Sequence, residues 1–201
     1  MPNDDVLPIV MCGDPVLRQP AQTVDPSDLA KPAMRRLIAQ MRATMEAAPG
    51  VGLAAPQVGV PLRVAVLQDG PDRWGQQSAG ELGLRERTPL PFTVMVNPVL
   101  SPVEDSEDAI FYEGCLSVPG LTGVVKRHRS VKVQGLDEHG KPFSREYRGW
   151  PARIAQHELD HLAGVLYLDR VETRSISTGD NYSKYWAGPT RKAAQALGFQ
   201  I

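Results

Sequence analysis

The chain has 201 residues, 22 Lys and Arg against 23 Asp and Glu, a formal net charge of −1 and 42% hydrophobic residues. This length predicts a single domain, residues 1–201, with a core large enough to fold without stabilising cross-links such as disulfide bonds. The near-neutral charge and ordinary apolar content indicate neither a disordered chain nor a nucleic-acid-binding surface. Because the acidic start has no long apolar run, we expect no signal peptide, transit segment or membrane span.

The chain has two cysteines, Cys12 and Cys115. Since no secretion signal is found, we expect both to stay reduced in a cytoplasmic protein. Each is then available as a small buried apolar residue or as a metal ligand.

The first long element is a helix predicted over residues 28–48. Apolar residues recur there at helical spacing, Pro32 lies near the first turn, and Pro49-Gly50 follows the end. We interpret it as an N-terminal amphipathic helix whose Met and Leu face packs into the core.

The middle of the chain is typical of β-structure. Strands are predicted at residues 62–67, 92–99 and 124–136. The basic cluster at residues 126–129 interrupts the third strand, and we interpret it as a solvent-exposed face. A hairpin turn predicted at 138–141 exposes His139.

Two segments lack periodicity. Residues 68–91 are rich in Gly, Pro, Gln and charge, which predicts a long surface loop inside the domain. Residues 173–201 form a polar C-terminal tail with a short helix at 191–197. Strands with a helix before and after them predict an α+β fold.

The most informative motif is H-E-x-x-H, formed by His157, Glu158 and His161. Pro151 and Gly164 bracket a helix there, and one helical turn places both imidazoles on the same face, within reach of one metal ion. Glu158 then lies where it can reach a metal-bound water without joining the ligands. This predicts strands packed around a central metal-binding helix.

The residues alone leave the third ligand open. A further histidine in the extended H-E-x-x-H peptidase pattern would stand at Tyr167, so that pattern is not completed. Glu172 could serve instead, as in other metallopeptidases, and Cys115 lies in a segment with small neighbours. A non-catalytic module with a fourth ligand such as Cys12 is a further alternative.

Three segments in order favour one family. They are GVGLAAPQ at 50–57, EGCLS at 113–117 and QHELDH at 156–161. Together they resemble peptide deformylase over residues 6–170. The resemblance implies hydrolytic release of formate from N-formylmethionine at the start of newly made polypeptides. The alternatives to it are an H-E-x-x-H peptidase and a non-catalytic metal-binding module.

The resemblance also implies a metal and its ligands. Cys115, His157 and His161 would hold one divalent ion per chain, Fe²⁺ in vivo, although the ligand set also suits Zn²⁺, Ni²⁺ or Co²⁺. Glu158 would take a proton from the attacking water and return it to the leaving amine.

By the same resemblance, the side-chain amide of Gln57 and the backbone N–H of Leu116 would stabilise the oxyanion. Without the family, Gln57 reads as an exposed polar residue after a turn. Asp160 is expected to pair with Arg127 in support of the site.

The substrate positions implied by the family surround the metal helix. We expect Gly52 and Gly114 to offer backbone hydrogen bonds to an extended peptide. Side-chain positions for the methionine pocket are Val51, Phe111, Trp150 and Ile154, with Glu113 and Gly114 at the rim.

Some features depart from the commoner pattern. Many bacterial members carry an arginine where this chain has Thr122, which changes the expected contacts with the peptide backbone. Other subgroups contact the ribosome through a longer C-terminal helix, and the short helix at 191–197 does not support that contact here. The expected partners are N-formylmethionyl peptides and nascent chains, with no membrane and no specific nucleic acid.

Overall fold

A computed structural model describes residues 5–75 and 77–201. Residues 1–4, which hold most of the acidic start, and Gln76 in the predicted loop lie outside the described residues. The strands are β1 Gly52–Ala54, β2 Val64–Asp69, β3 Leu90–Pro102, β4 Asp108–Cys115, β5 Val118–His128, β6 Ser130–Leu136, β7 Pro142–Arg148 and β8 Val171–Thr178. The α-helices are α1 Pro32–Ala47, α2 Ala79–Leu84, α3 Trp150–Leu162, α4 Gly179–Asn181 and α5 Thr190–Leu197.

Shorter helical pieces connect these elements. The 3₁₀ turns are Pro15–Arg18, Pro26–Ala30, Ala55–Val58, Pro71–Arg73 and Tyr167–Asp169, and a π-turn, Tyr182–Trp186, continues α4. No helix among residues 5–75 and 77–201 is both long and apolar enough to cross a membrane.

The strands form two antiparallel sheets. One has five strands in the order β1-β2-β3-β6-β7, and the other has three in the order β4-β5-β8. Side chains alternate between faces in strands such as β6, where Val131 and Val133 are buried while Lys132 and Gln134 are exposed. The prediction of a mixed helix and sheet fold is confirmed.

Helix α3 packs on the five-stranded sheet through one apolar face. Ala152, Ile154, Ala155 and Leu162 of the helix share a core with residues of β1, β2, β3, β6 and β7. The helix begins after Gly149, whose φ is +63°, and ends before Gly164, whose φ is +76°. A side chain at Gly164 would also meet the backbone of Arg18 at 2.8 Å, so the predicted stop is enforced by packing as well as by backbone conformation.

Helix α1 packs against a second core. Met34, Ile38, Met41 and Met45 lie among apolar residues of β1, β2 and β3. The helix starts at Pro32 because residues 26–30 form a separate 3₁₀ turn, so it is shorter at its N-terminus than the predicted 28–48. Of the residues predicted to face the core, Met41 and Met45 are buried, Leu37 is half-buried and Ala33 is exposed.

The predicted strand at 124–136 is two strands that meet at Arg129. The interpretation of the basic cluster as a solvent-exposed face is wrong for Arg127, which is 5% exposed, whereas Lys126 and His128 are exposed. Burial is tolerated because the guanidinium is paired with carboxylates on both sides. The predicted turn at 138–141 joins β6 to β7, and His139 is exposed.

The prediction of one long surface loop at 68–91 is wrong in part, since its first two residues end β2 and its last two begin β3. Helix α2 lies inside it, capped by Ser78, whose backbone and side chain bond Glu81. The segment is held to the body by Arg87, which donates two hydrogen bonds to buried Asp69 at 2.8 and 3.0 Å. The polar tail likewise contributes β8 to the smaller sheet, and its predicted short helix is α5.

Candidate active site

The centre of the site is formed by three side chains from two elements. Cys115 ends β4, and His157 and His161 lie one turn apart on α3. One ligand atom from each falls within 4.8 Å of the others, and the Cys115 Sγ to His161 Nε2 distance is 3.3 Å. The helical spacing therefore places both imidazoles as the sequence predicts, and the turn after β4 brings the thiol to them.

Glu113 orients the first histidine. Its Oε2 lies 3.0 Å from Nδ1 of His157, which leaves Nε2 of the ring to face the cluster. Arg127 donates two hydrogen bonds of 3.0 Å to the same carboxylate, and Arg153 donates one of 2.5 Å. Burial acts to raise the pKa of Glu113, but the bond from His157 and the two guanidiniums outweigh it and hold the pKa well below its usual range.

The predicted pairing of Asp160 with Arg127 is confirmed by an ion pair. Arg170 donates two further bonds to Asp160, at 2.8 and 2.9 Å. A continuous chain of charged groups thus runs from the surface through Arg127 and Glu113 to His157.

The histidines have opposite electrostatic surroundings. Burial acts to lower the pKa of His157, but hydrogen bonds with Cys115 and Glu113 raise it well above its usual value. Burial and the nearby charge of His157 lower the pKa of His161 well below its usual value, which keeps that imidazole neutral. One thiol and two imidazoles match the donor set that proteins use for zinc and related divalent metals, so these residues fit a metal ion.

Glu158 lies beside the cluster, and its side chain is almost completely buried. The residue is 4% exposed, and its Oε2 has no hydrogen-bond partner within the described part of the chain. Burial raises the pKa of Glu158 to about 7, near the value that suits a group exchanging protons at neutral pH. A side chain on Gly52 would lie 2.2 Å from Glu158 Oε1, so the carboxylate keeps this position only beside glycine and would have to shift otherwise.

Gln57 is buried, and its amide points to the cluster. The residue is 2% exposed, which excludes the alternative of an exposed polar residue after a turn. Its Oε1 accepts a bond from the Ala54 N–H at 2.9 Å, and this fixes the amide so that Nε2 lies 3.7 Å from Cys115 Sγ and 3.3 Å from Ser117 Oγ. The donor nitrogen is therefore held beside the thiol.

Leu116 occupies the first position of the turn between β4 and β5, directly after the thiol. Its side chain packs against the 50–57 segment, where a side chain on Gly50 would meet it at 2.8 Å. A side chain at Gly50 would therefore displace the end of the Leu116 side chain.

A cavity of about 560 Å³ opens beside the cluster. Six of the seven residues predicted to contact substrate border it, namely Val51, Gly52, Glu113, Gly114, Trp150 and Ile154. One prediction needs correction. Phe111 is not part of the lining, and its ring lies against the Arg153 guanidinium, whose carbon is 5.3 Å from the ring centroid. Glu113 borders the cavity, and its carboxylate is bonded to Arg127, Arg153 and His157.

Sequence reasoning missed several lining residues. Arg153 is 3% exposed and lies four residues before His157, so helical spacing alone could have placed it on the same face. Arg85 and Tyr182 also line the cavity, and they come from the segments interpreted as a loop and a tail. No local pattern pointed to these two.

The alternative ligands do not join the cluster. Glu172 lies in β8, where its carboxylate accepts a bond from the Arg174 N–H, and Cys12 is exposed. Among residues 5–75 and 77–201, the group able to hold a metal is Cys115, His157 and His161.

A helix-borne pair of histidines completed by a thiol, with a buried carboxyl group beside them, defines a metal-dependent hydrolase site. The family model for polypeptide deformylase matches residues 6–176. This chain therefore belongs to the peptide deformylase family, metal-dependent hydrolases that remove the N-formyl group from nascent polypeptides.

Individual relatives agree with this assignment. The chain is 50% identical to peptide deformylase 3 of Streptomyces avermitilis over 199 residues, covering 97% of this chain and 85% of the relative. It is also 50% identical to peptide deformylase 1 of Streptomyces coelicolor, with 97% and 87% covered. A class I type b peptide deformylase from Acinetobacter baumannii with Met-Ala-Ser bound superposes with a TM-score of 0.73 at 35% identity, covering 83% of this chain and 98% of that one.

Proposed function

We propose that Glu158 is the group that moves protons as this chain deformylates N-formylmethionyl peptides. The observation that supports this is the buried carboxyl beside the Cys115, His157 and His161 cluster, with its pKa raised to about 7. A carboxyl with that pKa can both accept and donate a proton near neutral pH.

Cys115, His157 and His161 would hold one divalent ion, which makes α3 the central metal-binding helix of the domain. When bound, the ion supplies Lewis acidity that polarises a carbonyl and lowers the pKa of water. We propose Fe²⁺ as the metal in vivo, since the family resemblance implies it, and Zn²⁺, Ni²⁺ or Co²⁺ fit the same donors. Glu113 fixes the His157 ring so that Nε2 is available to the metal.

Glu158 accepts a proton from water as the water oxygen forms a bond to the formyl carbon. The same proton then passes to the amide nitrogen, whose bond to the formyl carbon breaks. Formate and the free amino group of methionine are the products. Protonation of the nitrogen is required because an unprotonated amide anion is too poor a leaving group.

The negative charge that develops on the formyl oxygen needs fixed donors. Gln57 is held in place by its bond from Ala54, so its Nε2 can meet that charge without rearrangement. The backbone N–H of Leu116 is the second proposed donor, next to the thiol in the turn after β4.

The peptide would lie as an extended strand in the cavity. Gly52 and Gly114 would offer backbone hydrogen bonds, and the methionine side chain would contact Val51, Trp150 and Ile154. Phe111 would support this pocket from behind, through Arg153. The Met-Ala-Ser peptide held by the Acinetobacter baumannii neighbour supports this substrate length and N-terminal residue.

Nascent chains are the proposed partners, which implies that the enzyme acts in the cytoplasm. Helix α5 has eight residues, and its Ala193 and Ala194 are buried. We therefore do not propose it as a ribosome anchor, and we propose no membrane or specific nucleic-acid partner.

The test is formate release from formyl-Met-Ala-Ser, compared with acetyl-Met-Ala-Ser and with a blocked peptide that offers only internal amide bonds. We expect turnover of the formyl peptide alone. Cleavage of the internal bonds would favour a peptidase, and metal binding without turnover of any peptide would favour a non-catalytic module.

A further inference from the structure

The cavity wall beside the start of α3 carries an arginine whose nearby carboxylate, on Glu81 four residues earlier, interacts with it electrostatically but is bonded to Ser78. Arg85 follows α2 and lines the cavity, with its guanidinium carbon 4.9 Å from the centroid of the Trp150 ring. Its Nη2 donates a 2.8 Å hydrogen bond to the Tyr182 hydroxyl. Within residues 5–75 and 77–201 it forms no ion pair.

Its neighbours hold this arginine firmly. Glu86, the next residue, accepts two bonds from Arg129, at 2.7 and 2.9 Å, and one from Arg148 at 3.1 Å. Gly149 packs against the same backbone, where an added side chain would meet the Glu86 carbonyl at 2.6 Å and the Arg85 carbonyl at 3.1 Å. The guanidinium is therefore positioned in advance of any ligand.

Further donors border the same part of the cavity. Tyr112 lines the cavity, is 4% exposed, and its buried hydroxyl has no partner among the described side chains and backbone groups. Its ring centroid lies 4.8 Å from that of Tyr182, the residue bonded to Arg85. The indole N–H of Trp150 is also buried and, in the described part of the chain, without an acceptor. A buried polar group left unpaired is costly, so a ligand that supplies an acceptor here is favoured.

The acidic groups of the cavity are committed elsewhere. Glu113 is bonded to Arg127, Arg153 and His157, and Glu158 lies beside the metal cluster. A guanidinium outside any ion pair of the described residues, next to two unpaired donors, favours an anion with two acceptor oxygens, which guanidinium binds through paired hydrogen bonds.

Spacing along the helix relates these donors to the substrate. Trp150 precedes His157 by seven residues, which is roughly 10 Å along the axis at 1.5 Å per residue. An extended peptide covers about the same distance in three residues, at roughly 3.3 Å each. A side chain at the second or third residue of a formylated peptide therefore has the reach to meet Arg85.

We propose that Arg85, with the Tyr112 hydroxyl and the Trp150 indole N–H, binds a carboxylate at the second or third residue of the substrate. The chain would then favour formyl-Met peptides with Asp or Glu there. This inference rests on the proposed function for its choice of ligand, whereas its test does not require turnover.

The experiment measures binding of deformylated peptides with amidated C-termini, by calorimetry. Met-Glu-Ser is compared with Met-Gln-Ser, and Met-Ala-Glu with Met-Ala-Gln, at low and at physiological salt. A charge-assisted pair predicts about tenfold tighter binding of the Glu peptide at one of the two positions, which is about 1.4 kcal/mol. In Arg85→Gln the ratio of Glu-peptide to Gln-peptide affinity should fall to about one. The control is Arg36→Gln, which makes the same charge change at an exposed position of α1 and should keep the ratio of the parent protein.

Three results would overturn the proposal. One is equal binding of Glu and Gln peptides at both positions, and another is a preference that survives in Arg85→Gln. The third is a gain only for free-acid Met-Ala-Ser over its amide, since this would assign the site to a chain terminus. Formate release from formyl-Met-Gln-Ser, measured on the same samples, tests the proposed function separately.

Discussion

The metal cluster and the segment at 70–89 are built in different ways. Around the cluster, the charged side chains that support the histidines are buried and bonded to several neighbours, as Glu113 is to two arginines and a histidine. The segment at 70–89 is largely exposed and is held by a few long-range arginine contacts. Arg87 reaches Asp69, Arg73 donates to the Gly50 carbonyl, and Arg129 reaches Glu86.

We infer that the cluster carries out the reaction and that the segment at 70–89 influences which substrates bind. The proposed reacting groups come from short motifs. The cavity wall that we propose for substrate selection is positioned by ion pairs between residues far apart in sequence, such as Arg129 and Glu86. We therefore expect substitutions in the cluster to abolish turnover, and substitutions in the segment to change stability or substrate preference by smaller amounts.

The largest effect should follow loss of the thiol. Cys115→Ser leaves two ligands, so metal affinity should fall more than the roughly 10–100-fold typical of losing a supporting partner, and turnover should fall with it. Elemental analysis of the purified variant measures occupancy. Cys12→Ser, which changes the exposed cysteine, is the matched control and should keep its metal. Full occupancy in Cys115→Ser would remove the thiol from the ligand set.

Glu158→Gln should keep the metal and lose the proton transfer. Turnover of formyl-Met-Ala-Ser should fall by about 10²–10⁴-fold, because the amide neither accepts nor returns the proton. Steady-state kinetics at measured metal content gives the comparison. Glu172→Gln is the control, and it should turn over near the parent rate. Near-parent turnover in Glu158→Gln would assign the proton transfer to another group.

Gln57→Leu tests the oxyanion donor. Turnover should fall by about 10²–10³-fold, or roughly 2.7–4 kcal/mol, with KM changing less. Because the buried amide also accepts from the Ala54 N–H, the free energy of unfolding should fall as well, by about 1–3 kcal/mol. Exposed Gln134→Leu should change stability by no more than about 0.5 kcal/mol. An unchanged turnover number at full occupancy would leave Gln57 with a structural role alone.

The smallest effect should come from the 70–89 segment. The hydrogen bond from Arg129 lowers the pKa of Glu86, so this carboxylate stabilises the fold above the usual glutamate pKa of about 4.3, and that contribution is lost as the pH falls below it. Because the pair is partly exposed, Glu86→Gln should cost about 1 kcal/mol or less at pH 7. Urea unfolding at pH 7 and about pH 3 measures it, and a difference independent of pH would contradict the ion-pair explanation.

The sequence was sufficient to predict the candidate site where the positions of its residues depend on local spacing. H-E-x-x-H on a helix places two imidazoles, and the resemblance adds Cys115 and Gln57, both of which the structure brings to the histidines. The sequence was insufficient to predict ion pairs between residues that are far apart along the chain. Arg127 reads as a surface cation because its partners, Glu113 and Asp160, lie 14 and 33 residues away.

The same limit applies to the segment at 68–91. Its composition correctly indicates an exposed segment, but no periodicity reveals a helix as short as α2. The contact of Arg85 with Tyr182 joins positions 97 residues apart, so single-sequence patterns give no sign of it. Fold class follows from periodicity, whereas the cavity wall follows from tertiary contacts.

The space between Gly52 and Glu158 has a consequence for how this gene can vary. A side chain at position 52 would place its first atom 2.2 Å from Glu158 Oε1 and 2.7 Å from its carboxyl carbon, so the carboxylate would have to move. Because Glu158 is the proposed proton-transfer group, Gly52 constrains the site although it carries no reactive group itself. We expect saturation mutagenesis aimed at a wider pocket to tolerate changes at Val51 and Ile154 more readily than at Gly52, where a substitution displaces Glu158.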